Sequence, residues 1–321
     1  MKTFSRIGCL TLMVIMLLSM SVCVQALDVK DSIKEEYEHE ETGVTIPYRL
    51  IVPEIYDDNY KFPLVVFFHG AGERGRENER QLDNCVQDIA DNMPKALILV
   101  PQCAHDGQWV DTPWAEGNYS VDEVPESDEM IAVMDLIQVI TEQYSIDKNT
   151  IYAAGISMGG YAVWDAMVRH NDVFAAGVAV CGAGDTSKAE LLKDTPMFVF
   201  HGTADETVPV SGSENMVKAI EAAGGTQVVY TEYGGSGHGI WGQVFRTESL
   251  YKGLKKCKLS DRYTEPQEET DPPAEFPWQP VLIGAAVVAL GAVVVLAVVA
   301  VIVIVCIRKK SGKGTVKTDT Q

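Results

Sequence analysis

Thr150-Ile151-Tyr152-Ala153-Ala154-Gly155-Ile156-Ser157-Met158-Gly159-Gly160-Tyr161 is the stretch that decides the fold. Thr150 to Ala154 is short, apolar and rich in β-branched and aromatic residues, which predicts a buried strand. From Gly160 to Arg169, the residues Tyr161, Val163, Trp164, Met167 and Val168 recur at helical spacing. Between them, Gly155-Ile156-Ser157-Met158-Gly159 fits G-x-S-x-G, a motif that needs a strand, a sharp turn and a helix in that order. The five-residue pattern also occurs in ordinary Gly/Ser turns, so the flanking elements give it its meaning. A turn that strains the backbone at Ser157 leaves little room for side chains beside it, hence the glycines. The hydroxyl is then held clear of the sheet, with a helix N-terminus behind it that favours developing negative charge.

A reactive serine needs a base, and the base needs an orienting carboxylate. Around such a turn the acid and then the histidine follow on loops after later strands. Pro196 to Phe200 predicts one of these strands and leads into His201-Gly202-Thr203-Ala204-Asp205-Glu206. Asp205 is the best-placed acid. Its rivals are Glu206, a candidate for a solvated loop charge, and Asp185, one strand too early after Ala175 to Val180. The next predicted strand, Gln227 to Thr231, precedes Gly234-Gly235-Ser236-Gly237-His238-Gly239, which sets His238 in a glycine-rich loop as the general base. His201 and His69 each end a strand before a glycine and read as structural residues that bond the site's loops. His39, His105 and His170 carry no motif.

Leu64 to Phe68 predicts a further buried strand, followed by His69-Gly70-Ala71-Gly72-Glu73-Arg74-Gly75. Glycines there let backbone amides approach a substrate carbonyl, and the amides of Ala71 and Met158 are the expected oxyanion-hole donors.

These segments, with Pro101-Gln102-Cys103, His201-Gly202-Thr203-Ala204-Asp205 and Gly237-His238, resemble one branch of the α/β-hydrolases. It is the branch described as polyhydroxybutyrate-depolymerase-like, feruloyl-esterase-like or prolyl-oligopeptidase-like. The similarity runs from about Glu40 to Lys255 and implies a serine hydrolase of α/β class. Its sheet would be eight-stranded and mostly parallel, with helices on both faces. The branch spans esters of sugars, polyesters, acyl lipids and peptides, so the likeness leaves the substrate open.

Two hydrophobic segments frame this domain. Residues 1–26, with Lys2 and Arg6, an apolar run from Ile7 to Val22 and a small residue at Ala26, read as a secretory signal peptide. Residues 281–307 are 27 in number without a charge, longer than the ~20 needed to span a bilayer. The basic tail, 308–321, opens Arg308-Lys309-Lys310, which predicts a cytoplasmic C-terminus and an extracellular catalytic domain at residues 27–262. Residues 263–280, rich in proline and acid, read as an extended stalk.

The formal net charge is −19 and both ends are basic, so the middle is more acidic still. That excludes nucleic acid as a natural partner and suits uncharged substrates. Cys85, Cys103, Cys181 and Cys257 show no disulfide framework. Neither C-x-x-C nor H-E-x-x-H occurs, so neither a metal nor another cofactor is expected. Asn118-Tyr119-Ser120 fits a glycosylation acceptor.

Cys103 to Glu126 has no clean period and carries large aromatic residues among glycines, prolines and acids, as binding loops do. Trp109, Trp114 and Tyr119 are therefore candidate contacts for a sugar ring or aromatic acyl group, with packing over the domain rim as the alternative. Trp241, three residues beyond His238, is a candidate shield for that histidine. The expected activity is hydrolysis of carboxylic esters through an acyl-enzyme, with acyl groups on carbohydrate as first substrate class. A peptidase of the same mechanism and a non-catalytic adhesion or scaffold protein are the alternatives.

Overall fold

The computed structural model describes residues 28–262. The strands are β1 (Ile33–Glu38), β2 (Thr45–Ile51), β3 (Phe62–Phe68), β4 (Leu97–Pro101), β5 (Ile146–Ile156), β6 (Ala176–Val180), β7 (Met197–Gly202) and β8 (Val228–Tyr233). They form one eight-stranded sheet in the order β1-β2-β4-β3-β5-β6-β7-β8. The pairs β1–β2 and β2–β4 are antiparallel and the other five are parallel. The principal helices are α1 (Val86–Asn92), α2 (Asp128–Gln143), α3 (Met158–Arg169), α4 (Ser211–Ala222), α5 (Trp241–Val244) and α6 (Glu248–Leu254).

Strand periodicity sorts the core into two layers. Leu64, Val66 and Phe68 of β3 face the layer that contains Met130 and Ile137 of α2, Val163 and Met167 of α3, and Met216 of α4. Val65 and Phe67 face the opposite layer, with Ile89 of α1, Val244 of α5 and Leu250 of α6. A parallel sheet covered on both faces needs near-continuous apolar strands, and β3, β4 and β6 supply them. The predicted α/β class, mostly parallel eight-stranded sheet and two helical layers are all present.

The predicted signal peptide, stalk, membrane helix and basic tail lie outside the described residues. Among those residues, no helix is long and apolar enough to cross a membrane.

Parallel strands deliver their carboxyl ends to one edge of the sheet. Ser157 follows β5, Asp205 follows β7 and His238 follows β8, while the Gly70–Ala71 loop follows β3. The candidate site is therefore assembled by topology from residues far apart in sequence.

Candidate active site

Ser157 occupies the turn between β5 and α3 with φ 54° and ψ −119°, a left-handed conformation costly for any residue with a Cβ. Its amide donates to Val180 O (2.8 Å) and its carbonyl accepts from Gly160 N (2.7 Å), so neighbouring elements impose the strain. Gly159 explains the second glycine of the motif. A Cβ there would lie 1.9 Å from Phe68 O and 2.8 Å from His69 O, so α3 can approach β3 only without a side chain.

Ser157 Oγ lies 2.7 Å from His238 Nε2, and His238 Nδ1 lies 2.7 Å from Asp205 Oδ2. Nδ1 faces a carboxylate and therefore carries the hydrogen, which leaves Nε2 to accept from the serine. Asp205 Oδ1 accepts from the amides of Thr207 (2.8 Å) and Val208 (2.9 Å). Burial pushes this carboxyl upward, but the hydrogen bonds from His238, Val208 and Thr207 outweigh it and hold its pKa below the usual aspartate range. The loops that carry acid and base are tied together: Ala204 N donates to Ser236 O (2.9 Å) and Gly235 N to Thr203 Oγ1 (2.8 Å). Cys181 Sγ donates to His238 O at 3.3 Å.

Of the rival acids, Glu206 is exposed. Asp185 accepts from the amides of Ser187 (2.9 Å) and Val121 (2.8 Å), capping a turn away from the histidine. The three predicted residues are brought together and the rivals are not.

The remaining donors belong to the Gly70–Ala71 loop and the start of α3. Met158 is the first residue of α3 and Ala71 the first of a one-turn 3₁₀ helix, so neither amide has a partner within its own helix. Gly70 lies against the nucleophile, since a Cβ placed on it would sit 3.6 Å from Ser157 Cβ. His69 braces this loop. Its Nε2 accepts from Cys103 N (3.0 Å), so Nδ1 carries the hydrogen and donates to Gly70 O (2.6 Å). His201 is likewise buried, with Nε2 facing Val208 O (3.0 Å) and Asp205 Oδ2 (3.2 Å), and Nδ1 2.8 Å from Ser213 Oγ. Both are structural, as the sequence predicts.

Burial pushes the pKa of His69 down to about 4, only partly opposed by the Gly70 carbonyl. The unfolded chain, with an ordinary histidine value near ~6.5, takes up a proton that the fold refuses. This contribution is full above about pH 6.5 and is lost as pH falls from there through about 4. Its size is about 3 kcal/mol. Urea midpoints should therefore drop between about pH 6.5 and 4.5, and His69→Gln should flatten that acid limb while lowering stability at about pH 7.5.

With this geometry in place, the chain can be set beside known proteins. A model of the phospholipase/carboxylesterase family matches residues 55–257. The chain belongs to that family. A thermostable esterase of known structure is 34% identical with a TM-score of 0.63, over 72% of this chain and 64% of that one. A bifunctional acetylxylan esterase/xylanase, XynS20E, from Neocallimastix patriciarum is 28% identical over 86 residues, 27% of this chain and 13% of that one. A ferulic acid esterase structure shares the fold at 16% identity and TM-score 0.54, over 73% of this chain and 98% of that one. The chain thus spans less than two thirds of the length of the first two relatives.

Within this phospholipase/carboxylesterase-family chain, the aromatic loop departs from expectation. Trp109 is 0% exposed. It packs edge-on against Phe68 (5.4 Å) and His69 (5.2 Å), and its Nε1 donates to His69 O (3.1 Å). It is a core residue and not a substrate contact, because the loop folds back over β3. Tyr119 is half-buried against Tyr161, with its hydroxyl donating to Asp165 Oδ1 (2.8 Å), so it serves as a strut. Trp114 stays partly exposed and lines a groove. Trp241 stands edge-on to His238 at 5.5 Å, in keeping with a shield. The four cysteines of the described residues are free thiols. Cys181, Asp205 and His238 bring ligand-type atoms within 4.8 Å of one another, but these atoms are already engaged within the triad and its loop.

Sequence reasoning missed how the loop is fastened. Asp165, 1% exposed, pairs with Arg169 Nε at 3.0 Å, and Arg169 Nη2 donates to Val124 O (2.6 Å) and Val121 O (3.3 Å). His170 Nε2 lies 2.6 Å from Glu126 Oε1. The legible signal was an i,i+4 Asp/Arg pair inside an otherwise apolar helix. Arg169→Ala leaves the Asp165 carboxylate buried without its cation, and thermal unfolding should register a loss of about 3–5 kcal/mol.

Proposed function

We propose that the chain is a serine esterase that hydrolyses carboxylic esters through an acyl-enzyme. The observation that carries this is the continuous hydrogen-bonded line from Ser157 Oγ through both nitrogens of His238 to Asp205, each link 2.7 Å, in a phospholipase/carboxylesterase-family chain. His238 Nε2 takes the serine proton as Oγ attacks the ester carbonyl. The amides of Ala71 and Met158 hold the oxyanion, and α3 points its positive end at the same place. His238 returns the proton to the leaving alcohol, which departs and leaves the acyl group on Ser157. Water then enters, gives its proton to His238, and attacks the acyl carbon to release the acid and restore the serine.

Acyl groups carried on carbohydrate are the proposed substrate class, supported by the likeness to an acetylxylan esterase/xylanase. The signal-like start and the long apolar segment near the end support an enzyme held outside the cell by a single membrane helix, with the basic tail inside. A hydrolysis panel on the full-length chain tests the reaction: acetylated xylan, feruloyl esters, p-nitrophenyl esters and proline-containing amides. Faster cleavage of the amides than of every ester would favour the peptidase reading. Failure of folded protein to react with a fluorophosphonate would favour the scaffold. Placement is checked on intact cells, where a membrane-impermeant fluorophosphonate should label the protein while a C-terminal tag resists added protease.

A further inference from the structure

A groove of about 470 Å³ is lined by Arg74, Gln108, Asp111, Thr112, Pro113 and Trp114. Arg74 is fixed on three sides. Its Nε donates to Ala71 O (3.1 Å), its Nη1 donates to Gly107 O (3.1 Å), and its guanidinium lies 5.7 Å from the Trp114 ring centroid. Among the described residues, Nη2 makes no hydrogen bond. The groove thus holds an oriented donor whose partner the protein does not supply.

Its position ties it to the chemistry. Ala71, which accepts from Arg74, stands in the loop beside Ser157. On the other side, Trp114 O accepts from Tyr161 in the first turn of α3 (2.9 Å). Its ring packs against the small cluster of Val110, Tyr161, Ala183 and Val208, and the Val208 amide holds Asp205. Trp114 is thus tied directly to α3, and the stretch that follows it is tied through Tyr119 and Val124 to Asp165 and Arg169, so this wall is held in place in advance of binding.

We propose that Arg74, Gln108, Asp111 and Trp114 form the subsite that holds the sugar of a carbohydrate-linked ester, reading neutral hydroxyls rather than a carboxylate. The proposal rests on the esterase reading above. A hydroxyl both donates and accepts, and this rim offers a guanidinium donor, a carboxylate acceptor and an amide capable of both. A uronate would accept from Arg74 but meet Asp111 as a like charge, within a chain of net charge −19. The two carbonyls that accept from Nε and Nη1, with the Trp114 ring 5.7 Å away, hold the guanidinium in one orientation, which a lysine could not reproduce.

Two measurements on the full-length protein separate the subsite from the reaction. In the Ser157→Ala protein, which cannot turn over, calorimetry should detect xylotetraose binding, weakened about tenfold or more by Arg74→Lys or Asp111→Asn. Tetragalacturonate should bind more weakly than xylotetraose. In the active protein, the ratio of kcat/KM for acetylated xylo-oligosaccharide to that for p-nitrophenyl acetate should fall about tenfold with either substitution, mainly through KM. Absence of xylotetraose binding, or tighter binding of tetragalacturonate, overturns the proposal. So does an equal loss of kcat on both esters for Arg74→Lys, which would mean that Arg74 acts only by shaping the Ala71 loop. Should no ester be cleaved while xylotetraose binding still depends on Arg74, the reaction assignment fails and the subsite stands.

Discussion

Replacing Ser157 by alanine is expected to lower kcat for a simple ester by about 10⁵–10⁶ and to abolish covalent labelling by a fluorophosphonate. The oxygen removed is the one 2.7 Å from His238 Nε2, and no second hydroxyl or thiol is hydrogen-bonded to that nitrogen among the described residues. Cys181 does not replace it. Its thiol points to His238 O, is buried, and has its pKa pushed up to about 12 by that burial, so it is a poor nucleophile near neutrality. Residual catalysis should come from the amides of Ala71 and Met158 and from binding alone.

The same position carries a stability signature. Ser157 sits at φ 54° and ψ −119°, and alanine inherits that strain whereas glycine does not. Strain of about 1–3 kcal/mol is relieved in Ser157→Gly, against about 0.4–1 kcal/mol from the freer unfolded chain. The glycine variant should therefore melt above the alanine variant, although both are inactive. Equal melting temperatures would mean that the turn stores no strain.

Much of this site was legible because parallel α/β topology obeys few rules. Leu64 to Phe68 is an unbroken apolar run and lies within β3; the predicted strand Thr150 to Ala154 lies within β5. Each buried parallel strand ends at the same edge of the sheet, so loop order in the sequence became proximity in space. Other elements were harder to read. β1 is almost wholly exposed and alternates no apolar face, so only its antiparallel pairing with β2 makes it a strand. β5 begins at Ile146, ahead of its apolar stretch, and runs through exposed Lys148 and Asn149. Trp109 misled because it lies in a loop of mostly polar residues, among them Gln108, Asp111 and Thr112, while its neighbours in space are Phe68 and His69. Arg74 drew no attention as one charge in a glycine-rich loop, and only the folded chain lays it over Trp114.

Asp205→Asn is expected to lower kcat by about 10⁴ with a much smaller change in KM. The wild-type carboxylate is surrounded by donors on both oxygens: Thr207 and Val208 amides at Oδ1, His238 Nδ1 and His201 Nε2 at Oδ2. An asparagine has one acceptor and one donor end. Keeping its oxygen on the two amides turns its NH₂ toward His238, which must then accept at Nδ1 and carry its hydrogen on Nε2. That tautomer donates to Ser157 and cannot take the serine's proton, so the nucleophile is idle although it is still in place. Turning the oxygen toward His238 instead sets the NH₂ against the Thr207 and Val208 amides and leaves those donors unsatisfied, which loosens the acid loop. Both routes lose the negative charge that stabilises the imidazolium formed during attack. The rate of fluorophosphonate labelling should fall alongside kcat, because both need the same proton transfer, while binding of an uncleaved substrate analogue stays near wild type. Activity within about tenfold of wild type would mean that another carboxylate orients His238, and Glu206→Gln would then be the variant to make.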